Sequence, residues 1–241
     1  MPADLLARFP VQPARTGVYW FGEEHTMFRD RTEAAGLLAH RLATYKGQHP
    51  LVLAIPRGAV VMAKIIAEEL GGDLDVVLVR KLGAPYEPEL AIGSVDETGR
   101  TYLSPFAARA GADDDYIAKE RAAQLAILAQ RRRQYTPIRP PIDPAGRVVI
   151  VVDDGLATGA TMISALQTLR MLHPAKLVCA VPVSPRDTLD LVRKRADEVV
   201  CLDTPASFQA VGSFYQRFPQ VSDAEVIELL RRRPEGTTAA P

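Results

Sequence analysis

The sequence VVIVVDDGLATGAT, residues 148–161, decides the fold. It opens with five β-branched apolar residues, and such a run without polar alternation is typical of a strand buried on both faces of a sheet. Two aspartates end the run, a loop of small residues follows, and apolar residues at helical spacing begin near Thr161. We therefore expect a buried strand, an acidic pair, a small-residue loop and a helix.

The acidic pair and the loop suit a sugar phosphate. Ligands of a parallel sheet bind beyond the carboxyl ends of its strands, where Asp153 and Asp154 stand. Carboxylates accept hydrogen bonds from vicinal sugar hydroxyls or bind a divalent cation. The loop amides and the amino end of the helix favour an anion. The predicted contacts of this loop are Gly155, Leu156, Ala157, Thr158, Gly159, Ala160 and Thr161.

A second loop of the same kind follows residues 51–55, another continuous apolar run. It contains Arg57 and Gly58 and leads into a predicted helix that ends near Leu70. A guanidinium and free backbone amides at this place favour a phosphate. The alternative is a solvated arginine ahead of a helix.

A third predicted strand, residues 76–79, ends in Arg80 and Lys81. Two cations at the carboxyl end of a parallel strand lie at the same ligand-binding edge. Because side chains alternate along a strand, one of them must face away, and we expect Lys81 to face the site.

Strands and helices alternate along most of the chain, which predicts a parallel doubly wound sheet. Residues 82–112 interrupt the alternation, and two short runs around residues 96–100 predict a β-hairpin there. A long polar helix is predicted at residues 113–135, followed by a stiff proline-rich linker. Further strands are predicted at residues 177–183 and 198–202, and further helices at residues 31–45, 187–195 and 223–231.

Composition excludes several classes of protein. The chain has 241 residues, of which 47% are hydrophobic, and its formal net charge is zero. The neutral charge argues against bulk binding to nucleic acid or to an anionic membrane. We find no signal peptide and no apolar run long enough to span a membrane. Two cysteines in predicted strands indicate buried free thiols and a cytoplasmic protein.

The segment from Asp153 to Thr161 resembles the signature of type I phosphoribosyltransferases at every position. The resemblance covers about residues 29–230. It is tightest to a bacterial group of phosphoribosyltransferases, because this sequence also contains IPRG at residues 55–58 and VRKLGAP at residues 79–85. For that group the resemblance implies no particular acceptor.

The resemblance implies an enzyme that transfers the 5-phosphoribosyl group of phosphoribosyl pyrophosphate (PRPP) to a nitrogenous acceptor and releases pyrophosphate, with Mg²⁺ as cofactor. It implies that Asp153 and Asp154 bind the ribose hydroxyls and contact Mg²⁺ directly or through water, and that the loop binds the 5′-phosphate. Arg57, Gly58, Arg80 and Lys81 would contact pyrophosphate. We expect Asp153, Asp154, Lys81 and Arg57 to be the catalytic residues.

The residues themselves and the resemblance together predict a layout for the chain. It has an N-terminal arm at residues 1–28, a phosphoribosyltransferase domain at residues 29–233 and a disordered tail at residues 234–241. The domain contains a flexible hairpin region (residues 82–112), an inserted helix and linker (residues 113–144), and a candidate hood with the C-terminal helix (residues 203–233). The hood of such enzymes binds the acceptor, for which the candidates are Phe208, Phe214 and Tyr215. Packing of these rings against the C-terminal helix is the alternative.

Other interpretations compete with catalysis. A regulator of the same fold could bind PRPP or a nucleotide without turning it over, although no DNA-binding segment accompanies the domain. A receiver domain has no use for the sequence ATGAT after its acids, and the ATP-binding motif G-x-x-x-x-G-K-S/T is absent. Relatives are usually dimers, but no interface is evident in the sequence. The enzymatic interpretation requires that the loop face a cavity and that its acids stay free of the protein's own cations.

Overall fold

The computed structural model describes residues 27–88, 90–135 and 141–231, and the backbone of the short antiparallel strands β1 (Gln12–Pro13) and β2 (Tyr19–Trp20). The predicted tail, most of the predicted arm and part of the proline-rich linker lie outside these residues. The other strands are β3 (Leu51–Ala54), β4 (Asp73–Val76), β5 (Val79–Gly83), β6 (Ala91–Asp96), β7 (Thr101–Leu103), β8 (Val148–Val152), β9 (Lys176–Val183) and β10 (Glu198–Asp203). The helices are α1 (Arg31–Arg41), α2 (Ala59–Leu70), α3 (Asp114–Tyr135), α4 (Ala160–Arg170), α5 (Arg186–Arg193) and α6 (Asp223–Arg231).

Five parallel strands form the central sheet in the order β10–β9–β8–β3–β4. Alternate residues of β3, β8, β9 and β10 enter two separate apolar cores, so that Val151 packs on one face and Val152 on the other. Helices α1, α2 and α6 contribute to the first core, and α4 and α5 to the second. The predicted doubly wound α/β fold is confirmed, and both cysteines are buried free thiols in the central sheet.

The chain reverses its direction across the sheet between β3 and β8. These strands are neighbours, and Ala54 at the end of β3 pairs with Val152 at the end of β8. From β3 the chain crosses through α2 to β4 on one side, and from β8 it crosses through α4 to β9 on the other. The loops after β3 and β8 therefore leave the sheet side by side, at the place where ligands of such sheets bind.

The predicted strand at residues 76–79 is wrong. Strand β4 ends at Val76, and β5 begins at Val79 in a second, three-stranded antiparallel sheet with β6 and β7. Residues 77 and 78 are buried although they belong to neither sheet, so the apolar run conceals the break. The predicted β-hairpin is confirmed as β6 and β7 around residues 97–100.

Helix α3 covers the three-stranded sheet and attaches it to the central one. Arg132 of α3 donates hydrogen bonds to the carboxylate of Glu97 in the hairpin turn. Its Nη1 lies 3.8 Å from Oδ1 of Asp75, a buried residue of β4. Hairpin, helix and central sheet are thus joined by one group of charges.

Loss of the Arg132 guanidinium should destabilise the chain. We expect Arg132→Met to lower the free energy of unfolding by about 3–5 kcal/mol, because it removes a largely buried guanidinium that bonds Glu97 and lies beside the buried carboxylate of Asp75. The matched control is Arg121→Met on the same helix, since the exposed Arg121 donates to the hairpin carbonyl of Gly99. The control should change stability by less than about 1 kcal/mol in urea titrations. Equal losses for the two variants would contradict this account.

Candidate active site

The loops after β3 and β8 touch each other at Gly58. A Cβ atom at Gly58 would lie 2.0 Å from Oδ2 of Asp154, so a side chain there would displace the carboxylate. The peptide bond between Pro56 and Arg57 is cis. The two segments that the sequence marks as ligand loops are therefore in contact at the switch point of the sheet.

The loop after β8 borders a cavity of about 190 Å³. Its lining consists of Asp153, Val211 and residues 155–162. Gly159 has φ 72° and stands before α4 without a side-chain cap, and a Cβ there would lie 2.7 Å from Cγ2 of Thr188. The Thr188 hydroxyl donates to the carbonyl oxygen of Ala157 at 2.7 Å and holds the loop. At the amino end of α4 the Ala160 N–H donates weakly to Oγ1 of Thr158, at 3.4 Å, and such a helix end favours an anion.

Asp154 is paired with a cation of the chain itself. Nε and Nη2 of Arg31 lie 2.9 Å and 2.8 Å from Oδ2 of Asp154. The requirement that both acids stay free of internal cations is therefore not met at this residue. Within the described part of the chain, no hydrogen bond reaches the other oxygen, Oδ1.

Asp153 differs from its neighbour. Its carboxylate accepts the backbone N–H of Asp154 at 2.9 Å, lines the cavity and makes no ion pair with the residues that the structure describes. Burial, and then the charge of Asp154, raise the pKa of the Asp153 carboxyl well above its ordinary value. Keeping the Asp153 carboxylate ionised in this environment lowers the stability of the ligand-free protein. Perturbed pKa values of this kind are common at ligand-binding sites.

The predicted pyrophosphate contacts are spread over two elements. Arg57 is 42% exposed beside the β3 loop, and its Nη1 lies 3.9 Å from Oδ2 of Asp223. Arg80 and Lys81 stand within β5 of the second sheet, and not at the end of a central strand as the sequence predicts. The Arg80 side chain donates to Gln124 of α3, so alternation directs Lys81 to the opposite face.

The aromatic residues of the hood candidate pack mainly on one another. Phe214 and Tyr215 are buried, and Phe208 stacks on Phe214 with ring centroids 5.2 Å apart. The Tyr215 hydroxyl donates to the carbonyl oxygen of Asp154 at 2.7 Å, and burial followed by the Asp154 charge raises its pKa. Phe214 and Tyr215 are thus buried among other aromatic rings, and the acceptor roles of Phe208, Phe214 and Tyr215 stay predictions.

Two site residues escaped the sequence analysis. Arg31 is buried at the start of α1, and nothing in its spacing distinguishes it from a solvated arginine. Val211, in a short 3-10 helix of the hood, covers the loop so closely that a Cβ on Gly155 would lie 2.5 Å from its Cγ1. Val211 stands between Ala210 and Gly212, and its spacing gives no sign of this contact.

The described residues offer few ligands for a metal ion. In the described ranges no group of three or more His, Cys, Asp or Glu side chains is arranged to hold one. Asp153 and Oδ1 of Asp154 could therefore supply part of a shell whose remaining ligands come from a substrate.

No helix of the described residues is long and apolar enough to cross a membrane. A larger cavity of about 430 Å³ lies beside β4 and the Arg132 cluster, away from both loops.

Comparisons with known proteins agree with this geometry. The family model described as "Phosphoribosyl transferase domain" matches residues 29–216. The chain is 43% identical over 208 residues to proteins of two Mycobacterium tuberculosis strains, H37Rv and CDC 1551, named "Putative phosphoribosyl transferase Rv0571c" and "Putative phosphoribosyl transferase MT0597". That alignment covers 86% of this chain and 47% of each relative, so the chain spans about half their length.

Among solved structures, the crystal structure of TT1426 from Thermus thermophilus is similar, with 45% identity and a TM-score of 0.80. It covers 86% of this chain and 98% of the TT1426 chain. The resemblance inferred from the loop motifs is confirmed, and the chain belongs to the phosphoribosyltransferase family.

Proposed function

We propose that the chain transfers a 5-phosphoribosyl group between PRPP and a nitrogenous base or similar acceptor, releasing pyrophosphate in an Mg²⁺-dependent reaction. One observation carries the proposal. The loop after β8 contains Gly155 and Gly159, leads into the amino end of α4, and borders a cavity that the Asp153 carboxylate also lines. This loop region touches the loop of Arg57 and Gly58 at the switch point of the sheet. Family membership supports the same assignment.

In this proposal the loop after β8 binds the 5′-phosphate through its amides and through the exposed hydroxyls of Thr158 and Thr161. Asp153 accepts hydrogen bonds from the ribose hydroxyls, with Oδ1 of Asp154 as the second acceptor. The pyrophosphate extends toward the loop of Arg57 and Gly58, with Lys81 as a further cation. When bound, Mg²⁺ would neutralise pyrophosphate charge, with Asp153 and Asp154 as its contacts on the protein.

The transfer breaks the bond between ribose C1 and a pyrophosphate oxygen and forms a bond from C1 to the acceptor nitrogen, which loses a proton. Cations near the leaving group stabilise its developing charge. Asp153 is the one ionisable side chain that lines the 190 Å³ cavity within the described residues. A carboxylate at this place could hold the proton that the acceptor releases.

Titration calorimetry with PRPP and Mg²⁺ tests the proposal. We expect wild-type protein to bind PRPP and Asp153→Asn to bind it about 10- to 100-fold more weakly, because hydrogen bonds to a charged group contribute about 1.5–3 kcal/mol. The control is Asp115→Asn, an equal change of charge in the exposed first turn of α3. Unchanged affinity in the Asp153 variant would contradict the assignment.

Pyrophosphate release measured with a panel of purine and pyrimidine bases separates an enzyme from a regulator. We expect release with at least one base. Absence of release across the panel, with PRPP still bound, would favour the non-catalytic binding protein of the same fold.

Asp153→Asn should also stabilise the free protein at neutral pH. The folded-state pKa of Asp153 is raised, so its ionised form opposes folding above that pKa and the opposition fades as the pH falls through it. The gain of the Asn variant in free energy of unfolding should therefore be largest near pH 8 and vanish toward the ordinary aspartate pKa of 3.8. Urea titrations at several pH values measure it, and a gain independent of pH would disprove the account.

A further inference from the structure

The side chain of Arg31 joins three parts of the molecule. Besides the two contacts with Oδ2 of Asp154, its Nη1 donates to the carbonyl oxygen of Pro219 at 2.7 Å. Its guanidinium carbon lies 3.8 Å from the centroid of the Phe218 ring. The side chain is 9% exposed. A guanidinium with all three nitrogens engaged is fixed in one orientation, which a lysine could not reproduce.

The hood segment is attached to the same place by its backbone. Phe28 donates its N–H to the carbonyl oxygen of Phe214 at 2.8 Å and accepts the N–H of Gln216 at 2.8 Å. The Tyr215 hydroxyl, between these two residues, reaches the carbonyl oxygen of Asp154. The start of α1 and the hood therefore meet at Asp154 through both its side chain and its backbone.

We infer that Arg31 is a positioning residue that acts through Asp154 and ties the hood to the ribose-binding edge. It holds Oδ2 of Asp154 and leaves Oδ1 for a ribose hydroxyl of PRPP. This inference rests on the proposed function. It gives the two acids different roles: Asp153 contacts the substrate without a cation to orient it, and Asp154 contacts the substrate while Arg31 holds its other oxygen.

Charge strengthens the argument. Without Arg31, Asp154 would stand next to Asp153 as a second largely buried carboxylate with no cation of its own. A second uncompensated negative charge, next to the Asp153 carboxylate that lines the cavity, would repel the phosphates of PRPP, and the freed Asp154 carboxylate would lose its single orientation. Substrate affinity should therefore fall even where the fold survives.

The test is a double-mutant cycle read as PRPP affinity in the presence of Mg²⁺. We expect Arg31→Met to weaken binding about 10- to 100-fold and Arg31→Lys to restore part of the loss, since lysine keeps the charge but not the fork. In an Asp154→Asn background, Arg31→Met should change affinity by less than about threefold, because the partner through which it acts is already neutral.

Arg147→Met is the matched control. Arg147 likewise bonds an aspartate and a carbonyl, with Nη2 2.7 Å from Asp73 and 2.8 Å from the carbonyl oxygen of His49, but at the opposite end of the sheet. This control should lower the denaturation midpoint while leaving PRPP affinity within about twofold.

Two results would overturn the inference. One is a folded Arg31→Met protein, or an Arg31→Lys protein if the Met variant does not fold, with wild-type affinity for PRPP. The other is an equal loss of affinity on changing Arg31 in the wild-type and Asp154→Asn backgrounds. Failure of wild-type protein to bind PRPP would instead overturn the proposed function, and the role of Arg31 with it.

Discussion

The contact between the loop after β3 and the loop after β8 is the constraint on which the site depends. Parallel pairing of the two central strands brings their carboxyl ends together, and the missing side chain at Gly58 lets the loops close on each other. Everything assigned to substrate binding follows from this closeness. In the proposed function PRPP has a 5′-phosphate at one end and a pyrophosphate at the other. The loop after β8 would bind the first and the loop after β3 the second, so neither loop alone would be sufficient.

The two acids at this contact illustrate how a binding site opposes stability. Asp154 is satisfied internally by Arg31, so it costs the fold little. Asp153 has no such partner among the described residues, and its raised pKa records the cost of holding a charge there. Proteins retain unfavourable groups of this kind where a ligand uses them. The two acids therefore differ in what holds them, because an internal cation orients Asp154 and none of the described residues forms an ion pair with Asp153.

Local sequence patterns were sufficient to predict most strands and helices and to locate the loops after β3 and β8. Long apolar runs ending in acids or cations predicted β3 and β8, and α6 begins and ends where its pattern does. They failed where tertiary packing decides. The buried link at residues 77 and 78 continues the hydrophobic run although the chain changes sheets, so Arg80 and Lys81 were placed at the wrong kind of position. The partner of Asp154 lies 123 residues away, and no local signal joins Arg31 to it.

The three-stranded sheet sets a limit on how the site could close. The hairpin turn is bound to α3 through the hydrogen bonds of Arg132 with Glu97, and the same arginine lies 3.8 Å from Asp75 of β4. Breaking that cluster would deprive a buried carboxylate of its cation, which is costly. A movement of the hairpin turn therefore keeps its hydrogen bonds with Arg132 only if α3 moves with it.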